Sequence, residues 1–170
     1  RMQWSGYIQD DFLPELRDPV RRTKTYREIR DNSPVVGAAL LAIEQLLRSA
    51  EISVEPGGEA AEDEAAHELV ETALGDLSQP WSNVLTQALT MLEHGWAALE
   101  IVYKRRQGPE QRDAAKRSQY TDGLIGWRKF MIRSQESLER WDFDEAGGVQ
   151  AMIQSPAPTY QRITLPIEKL

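Results

Sequence analysis

The stretch LTQALTMLEHGWAALEIVYK, residues 85–104, contains the change of pattern that decides the fold. Up to Gly95 it repeats leucine every three or four positions, which is the spacing of an amphipathic helix, and glycine is a common residue at the end of a helix. From Leu99 to Tyr103 apolar residues occupy every second position, which is the period of a β-strand. A helical region is therefore predicted to precede a region of strands.

Two further helices are predicted upstream of this stretch. Ser33-Pro34 combines an N-cap residue with a proline at the first helical position, and apolar residues continue at helical spacing to about Ser49. We expect this helix to be part of the core. Residues 62–77 begin with an acidic turn and continue with an apolar face, which is typical of a second helix. The third helix, which ends at Gly95, is expected to begin near Ser82.

The remaining pattern is that of short strands joined by turns. The alternation predicts strands at residues 99–104, 125–132, 138–143, 149–154 and 160–165. A hairpin is expected at residues 145–148 and a further short strand at 52–54. The expected fold class is α+β, with three helices followed by a mostly antiparallel sheet or meander and preceded by an extended N-terminal arm.

The domain organisation follows from the same pattern. Residues 1–32 are interpreted as an N-terminal arm, partly helical around Lys24–Arg30, whose isolated aromatic residues need another surface to cover them. Residues 33–170 form the α+β domain. Within it, residues 105–122 are polar and charged, so they are predicted to be a flexible basic loop.

Composition limits the classes of function. The net charge is −7, which argues against an affinity of the whole surface for nucleic acid. The absence of cysteine excludes disulfides and thiolate metal sites from this sequence. No apolar run approaches the roughly 20 residues of a membrane span, so no membrane partner is expected.

Positive charge is concentrated in two stretches, one in the arm and one in the loop. These are the candidate contacts with DNA or with a neighbouring subunit, since a cationic surface can bind phosphates or an acidic protein. The candidates are Arg17, Arg21, Arg22, Lys24, Lys104, Arg105, Arg106, Arg112, Lys116 and Arg117. By contrast, every charged residue from Glu51 to Asp76 is acidic.

No residues form a convincing catalytic or metal-binding pattern. His67 and His94 both lack a second ligand one helical turn away, so they are interpreted as structural. The segment Asp142–Gly147 lacks two of the ligands of a calcium loop, and a hairpin is the simpler interpretation. The sequence therefore predicts a protein that is not an enzyme and has no cofactor.

Several segments, in one order, resemble a family of tailed-bacteriophage portal proteins. The segments that carry this resemblance are Tyr26–Ala38, Glu93–Trp96, Glu100–Arg106, Gly126–Lys129, Arg140–Asp144 and Leu165–Leu170. The resemblance runs from about residue 26 to the end of the sequence and is closest to the N-terminal part of such portals, the outer wing region. It implies that the long stem helix, the clip and the crown lie beyond Leu170.

The resemblance also implies a function. Portals are dodecameric rings at one vertex of the capsid; they nucleate head assembly, pass double-stranded DNA during packaging and ejection, and hold the head-to-tail adaptor. The implied partners are other copies of the chain, the major capsid protein, the terminase, the adaptor and DNA in the channel. The implied location is the virion, after synthesis in the bacterial cytoplasm. The family has no catalytic residues to transfer to this sequence.

Two other hypotheses stay open on the sequence alone. The chain could be a nucleic-acid-binding module that uses its basic arm and loop, in which case its DNA affinity should depend steeply on salt. It could also be a hydrolase that uses carboxylates such as Asp142 and Asp144, although no substrate suggests itself.

Overall fold

The computed structural model describes residues 3–4, 7–8 and 16–170. Two-residue strands, β1 (Gln3–Trp4) and β2 (Tyr7–Ile8), pair with each other near the N-terminus. The helices are α1 (Pro19–Asn32), α2 (Pro34–Arg48), α3 (Ala61–Gly75), α4 (Trp81–Ala88) and the single turn α5 (Met91–His94). The longer strands are β3 (Ala98–Arg105), β4 (Ile125–Arg133), β5 (Leu138–Phe143), β6 (Val149–Gln154) and β7 (Ile163–Pro166).

The helix boundaries follow from capping residues. The Asp18 side chain accepts a hydrogen bond from the backbone N–H of Arg21 at the start of α1. Ser33 ends α1 in an extended conformation and caps α2, so one residue separates two helices. At the end of α5, Gly95 adopts a left-handed conformation with φ of 82° that favours glycine. This confirms the position at which the sequence changes from helix to strand.

Two antiparallel sheets follow the helices. β3 and β4 form a two-stranded ribbon, and β5, β6 and β7 form a three-stranded sheet with β6 in the centre. A bulge leaves Arg128 without a partner, because Val102 pairs with Lys129 and Tyr103 pairs with Trp127. The free carbonyl of Arg128 accepts a hydrogen bond from the backbone N–H of Ser78, 2.8 Å away, in the connection between α3 and α4.

The core lies where the ribbon meets the three-stranded sheet. Its buried members come from four different strands and are Ala98, Leu138, Met152 and Leu165. Trp96 and Trp141 pack against them with their rings edge to face, 5.3 Å between centroids. The α+β class and the strands predicted from alternation are confirmed, including the hairpin between β5 and β6, except that the last strand begins at Ile163 and not at residue 160.

The helical half differs from the expectation in three ways. The arm segment from Pro19 to Asn32 is a continuous helix, longer than the partly helical segment that was predicted, and it contacts α2 and α5. The third predicted helix is interrupted at residues 89–90 and divides into α4 and α5. Residues 52–54 pair with no strand in the described structure. The aromatic side chains of residues 1–15 in the predicted arm lie outside the described residues.

The prediction that α2 belongs to the core is wrong. None of its residues is buried, and its apolar side chains are half-buried at most. The physical reason is that α2 packs mainly on α1 and α4, so the described chain covers one side of it. The helix itself forms as predicted, because the Ser33 cap, the proline at the first position and the apolar spacing are properties of the local sequence.

Candidate interaction surfaces

Lys104 lies in the interior of the molecule. Its side chain is 3% exposed, and its ammonium lies 2.9 Å from Oδ2 of Asp76, whose side chain is 4% exposed. The same ammonium donates to the backbone carbonyls of Asp76 and Arg117, at 2.5 and 2.9 Å. All three donors of the ammonium therefore have partners, and Lys104 joins the end of α3 to the end of β3 and to the loop that follows.

Asp76 is a hydrogen-bonded carboxylate at the C-terminus of α3. Burial alone would raise its pKa, but hydrogen bonds from Ser118 Oγ, the backbone N–H of Gln119 and Lys104, together with the charge of Lys104, hold the pKa below its usual value. Asp76 is therefore ionised at neutral pH, and it fastens the far end of the basic loop to the helical layer.

Arg106 is a second buried cation of the predicted loop. It is 3% exposed, and its guanidinium donates to Thr72 Oγ1 at 2.9 Å and pairs with Asp122 at 2.7 Å. The guanidinium also stacks over the ring of Tyr120, 4.0 Å from the centroid. Gly126 permits this packing, since a Cβ there would lie 3.2 Å from Cδ of Arg106. Arg106 therefore holds the ribbon against α3.

These contacts correct the interpretation of the loop. Residues 105–122 were expected to lack an anchor, but backbone hydrogen bonds continue the ladder of the ribbon to the pair formed by Gly108 and Tyr120. Lys104 and Arg106 are unavailable to DNA or to another subunit, because their cationic groups are enclosed and paired. The segment beyond this base, residues 109–117, contains the exposed cations Arg112, Lys116 and Arg117, and the backbone carbonyl of Arg117 accepts a hydrogen bond from Lys104.

Ion pairs also attach α1 to the turns around the core. Arg27 pairs with Glu136 and Arg30 with Glu93, each at 2.5 Å. His94 lies beside Glu93, with Nε2 3.3 Å from Oε1. Burial lowers the pKa of His94 and outweighs the opposing effect of Glu93, and the positive charges of Arg27 and Arg30 lower it further. His94 is therefore neutral at pH 7.

The other candidate cations lie at the surface in two separate groups. In the α1 region Arg17, Arg21 and Lys24 are exposed, Arg22 is half-buried, and Lys24 lies 3.7 Å from Glu28 one turn away. At the ribbon and loop, Arg105, Arg112, Lys116 and Arg117 are exposed. Within the described residues, neither Arg105 nor Arg112 has a carboxylate partner.

The apolar outward face of α2 was not predicted from the sequence. Val35, Ala39, Ala42 and Leu46, spaced four, three and four residues apart, form one stripe, and all four are exposed. Val35 is 79% exposed and Leu46 is 72% exposed. The signal was present in the sequence, because from Pro34 to Arg48 only Glu44, Gln45 and Arg48 are polar, and a helix that is apolar on almost every side is normally covered on every side.

A comparison with protein-family models matches residues 23–170 to the portal protein of Mu bacteriophage. The chain belongs to this portal family. The match covers α2 to α5 and all the strands from β3 to β7, and it begins inside α1. No curated protein matches the chain in sequence.

Membership of the portal family supplies the coarse function. The portal chain has a structural role in a phage particle, its location is the capsid of the virion, and its assembly is a capsid-associated ring. In the described part of this portal chain, no group of three or more His, Asp or Glu residues is arranged to hold a metal ion. None of its described helices is long and apolar enough to cross a membrane.

Proposed function

We propose that this chain is a structural subunit of the portal ring at one vertex of the capsid, and that it is not an enzyme. In this role it serves head assembly, the packaging and ejection of double-stranded DNA, and the connection of head to tail. The proposed ring is a dodecamer, and its proposed partners are the major capsid protein, the terminase, the head-to-tail adaptor and the DNA in the channel. The subunit is made in the cytoplasm of the bacterial host.

The observation that carries this proposal is the match of residues 23–170 to one portal family. The structure adds support of a different kind, because α2 presents a large apolar surface that the described chain does not cover. A surface of this type marks a protein–protein contact in a soluble assembly. The ion pairs of Lys104 and Arg106 support a structural role for residues that resembled a DNA-binding patch.

The remaining exposed cations are the proposed contacts with a neighbouring subunit or with DNA. In the loop they are Arg105, Arg112, Lys116 and Arg117, and in the α1 region they are Arg17, Arg21 and Lys24, together with the half-buried Arg22. The alternative, a free-standing nucleic-acid-binding module, would need these residues to act together. The overall charge of −7 opposes that alternative, because the rest of the surface would repel phosphate.

Electron microscopy of the complete gene product tests the proposal. Negative staining should show closed rings with a central opening, and native mass spectrometry should give the number of copies in each ring. A complete gene product that stays monomeric at all concentrations, and that binds DNA tightly at low salt with a steep loss of affinity as salt rises, would favour the nucleic-acid-binding module.

A further inference from the structure

The outward face of α2 is apolar and is not covered by other described residues of the same chain. Beside Val35 and Leu46 on this face, Ile43 is 43% exposed, and on the two flanks of the helix Leu41 is 55% exposed and Leu47 is 41% exposed. Ile52, just after the helix, is 51% exposed. Isolated exposed apolar residues are ordinary, but a contiguous patch along four helical turns is a contact surface.

A second apolar patch lies at the end of the β3–β4 ribbon. Tyr103 is 52% exposed and Ile125 is 61% exposed. Tyr103 pairs with Trp127 and Arg105 pairs with Ile125, so strand alternation places these four residues on one face of the ribbon. We call these four residues the ribbon-end patch.

The charges around the two patches are opposite. Glu51, Glu55 and Glu59 follow α2, all three are exposed, and no lysine or arginine occurs between Arg48 and Lys104. The ribbon-end patch instead contains Arg105 and lies at the base of the loop that carries Arg112. Neither arginine has a carboxylate partner in the part of the chain that the structure describes, so both are available to an acidic surface.

The exposed apolar pair on the β5–β6 hairpin does not match α2 in charge. Phe143 and Val149 face each other across the β5–β6 hairpin and are 59% and 39% exposed. Three carboxylates surround them in the sequence, Asp142, Asp144 and Glu145. An acidic patch beside the acidic segment that follows α2 would be repelled, whereas the ribbon-end patch, which contains Arg105, carries the complementary charge.

We propose that the outward face of α2 on one copy of this chain docks on the ribbon-end patch of a second copy. The two surfaces are different and both are exposed on one subunit, so the contact is head-to-tail, and repeated contacts of this type close into a ring when the rotation between copies permits it. This inference rests on the proposed portal function and names the surfaces through which neighbouring subunits meet. Apolar burial stabilises the contact, and the flanking charges set its direction.

Cysteine cross-linking tests the contact directly, since residues 1–170 contain no cysteine. The single variants Leu46→Cys and Ile125→Cys are purified separately, mixed in equal amounts and oxidised mildly. A disulfide forms only when the two Cα atoms approach to roughly 4.4–6.8 Å, so even a weak contact between the patches is trapped and identified. The expected result is a mixed dimer, and a chain carrying both substitutions should give a ladder of higher oligomers.

The matched control is Tyr160→Cys, because Tyr160 is 71% exposed but lies outside both patches. Leu46→Cys should cross-link to Ile125→Cys several-fold more than to Tyr160→Cys, and the excess should fall as salt rises. No excess over this control overturns the proposal, as does an adduct of Leu46→Cys with itself that exceeds the mixed dimer.

These outcomes are separable from a failure of the proposed function. If the complete gene product forms rings but the mixed dimer shows no excess, the portal function stands and the assignment of the two surfaces is wrong. If the complete gene product forms no rings and the chain does not associate, both proposals fail.

Discussion

The charged group of Lys104 is buried, with only 3% of its side chain exposed. Removing an ammonium and a carboxylate from water costs several kcal/mol for each ion, and their attraction offsets this cost only when the remaining donors and acceptors are satisfied. Here Asp76 accepts from Lys104, Ser118 and a backbone N–H, and Lys104 also donates to two carbonyls. The pair is tolerated in the interior because every donor and acceptor has a partner, so removing one member should destabilise the fold strongly.

Replacing Lys104 with methionine should therefore destabilise the fold. We expect Lys104→Met to lower the free energy of unfolding by on the order of 3 kcal/mol, because it leaves Asp76 buried without its counter-ion. Chemical denaturation followed by circular dichroism measures the change. Lys24→Met is the matched control, since Lys24 is 76% exposed and should tolerate the same substitution within about 0.5 kcal/mol. Equal losses in the two variants would contradict the assignment of Lys104 as a buried ion-pair partner.

The loss should also depend on pH. A carboxyl whose pKa is lowered on folding stabilises the native state above its unfolded pKa, and this contribution disappears as pH falls through the folded pKa. The hydrogen bond and the charge of Lys104 help to lower the pKa of Asp76, so their loss in Lys104→Met raises that pKa relative to the natural chain and Asp76 takes up a proton at higher pH. The stability gap between the two proteins should narrow as pH falls from about 7 to about 3. A gap that does not change with pH would show that the charge of Asp76 is not its cause.

At the level of elements, α2 combines two environments on one helix. Leu40 points to the half-buried side, where it lines a cavity with Arg30, Glu44 and Leu92. Leu46 lies on the outward side and is 72% exposed. The same substitution at the two positions therefore separates the contribution of packing within the subunit from any effect on helix formation.

Leu40→Asp should cost roughly 2–4 kcal/mol, because a charge replaces a partly packed side chain. Leu46→Asp should change the free energy of unfolding by no more than about 0.5 kcal/mol in dilute solution. Thermal denaturation of the two variants at low protein concentration measures both effects. If Leu46→Asp is as damaging as Leu40→Asp, the outward face of α2 is packed within the isolated subunit.

The basic loop should be most open at its tip. Trypsin should cut first after Arg112 or Lys116, because these residues are exposed and lie in the segment beyond the pair of Gly108 and Tyr120. Lys104 and Arg106 should resist, since their side chains and backbone are both engaged. Mass spectrometry of the first fragments identifies the site, and initial cleavage after Lys104 or Arg106 would contradict the anchored loop.

The helices and strands were predictable because their ends and spacing are marked by residues within the same short stretch of sequence. Contacts between residues far apart in the sequence have no such local marker. Ser33 and Gly95 mark helix ends through backbone conformations that the sequence itself favours, so the helices and the change to strands were foreseen. The burial of Lys104 depends on Asp76, 28 residues earlier in the chain, and no residue close to Lys104 in the sequence predicts that burial. The exposure of Leu46 has the same origin, because whether a helix face is covered depends on the rest of the assembly.

For the whole molecule, the distribution of charge bears on DNA binding. Two of the six cations in the loop stretch are neutralised in the interior, and the chain carries a net charge of −7. We expect the isolated chain to bind double-stranded DNA more weakly than the roughly 10⁻⁴–10⁻⁶ M typical of non-specific binders at physiological salt. Fluorescence anisotropy with a labelled duplex measures the affinity. Arg112→Ala should have little effect, and a large loss of affinity in this variant would indicate a real DNA contact.

Buried residues are concentrated in the strands and are scarce in α1 and α2, and this difference should affect which parts of the molecule open locally. α1 and α2 together contain one buried residue, Thr23, whereas the strands supply every member of the main core cluster. In hydrogen–deuterium exchange, the amides of α1 and α2 should exchange through local opening well before those of β6, whose last four residues are buried. A neighbour seated on α2 would slow that exchange. The helical layer of each subunit would then acquire part of its rigidity only when the next copy arrives.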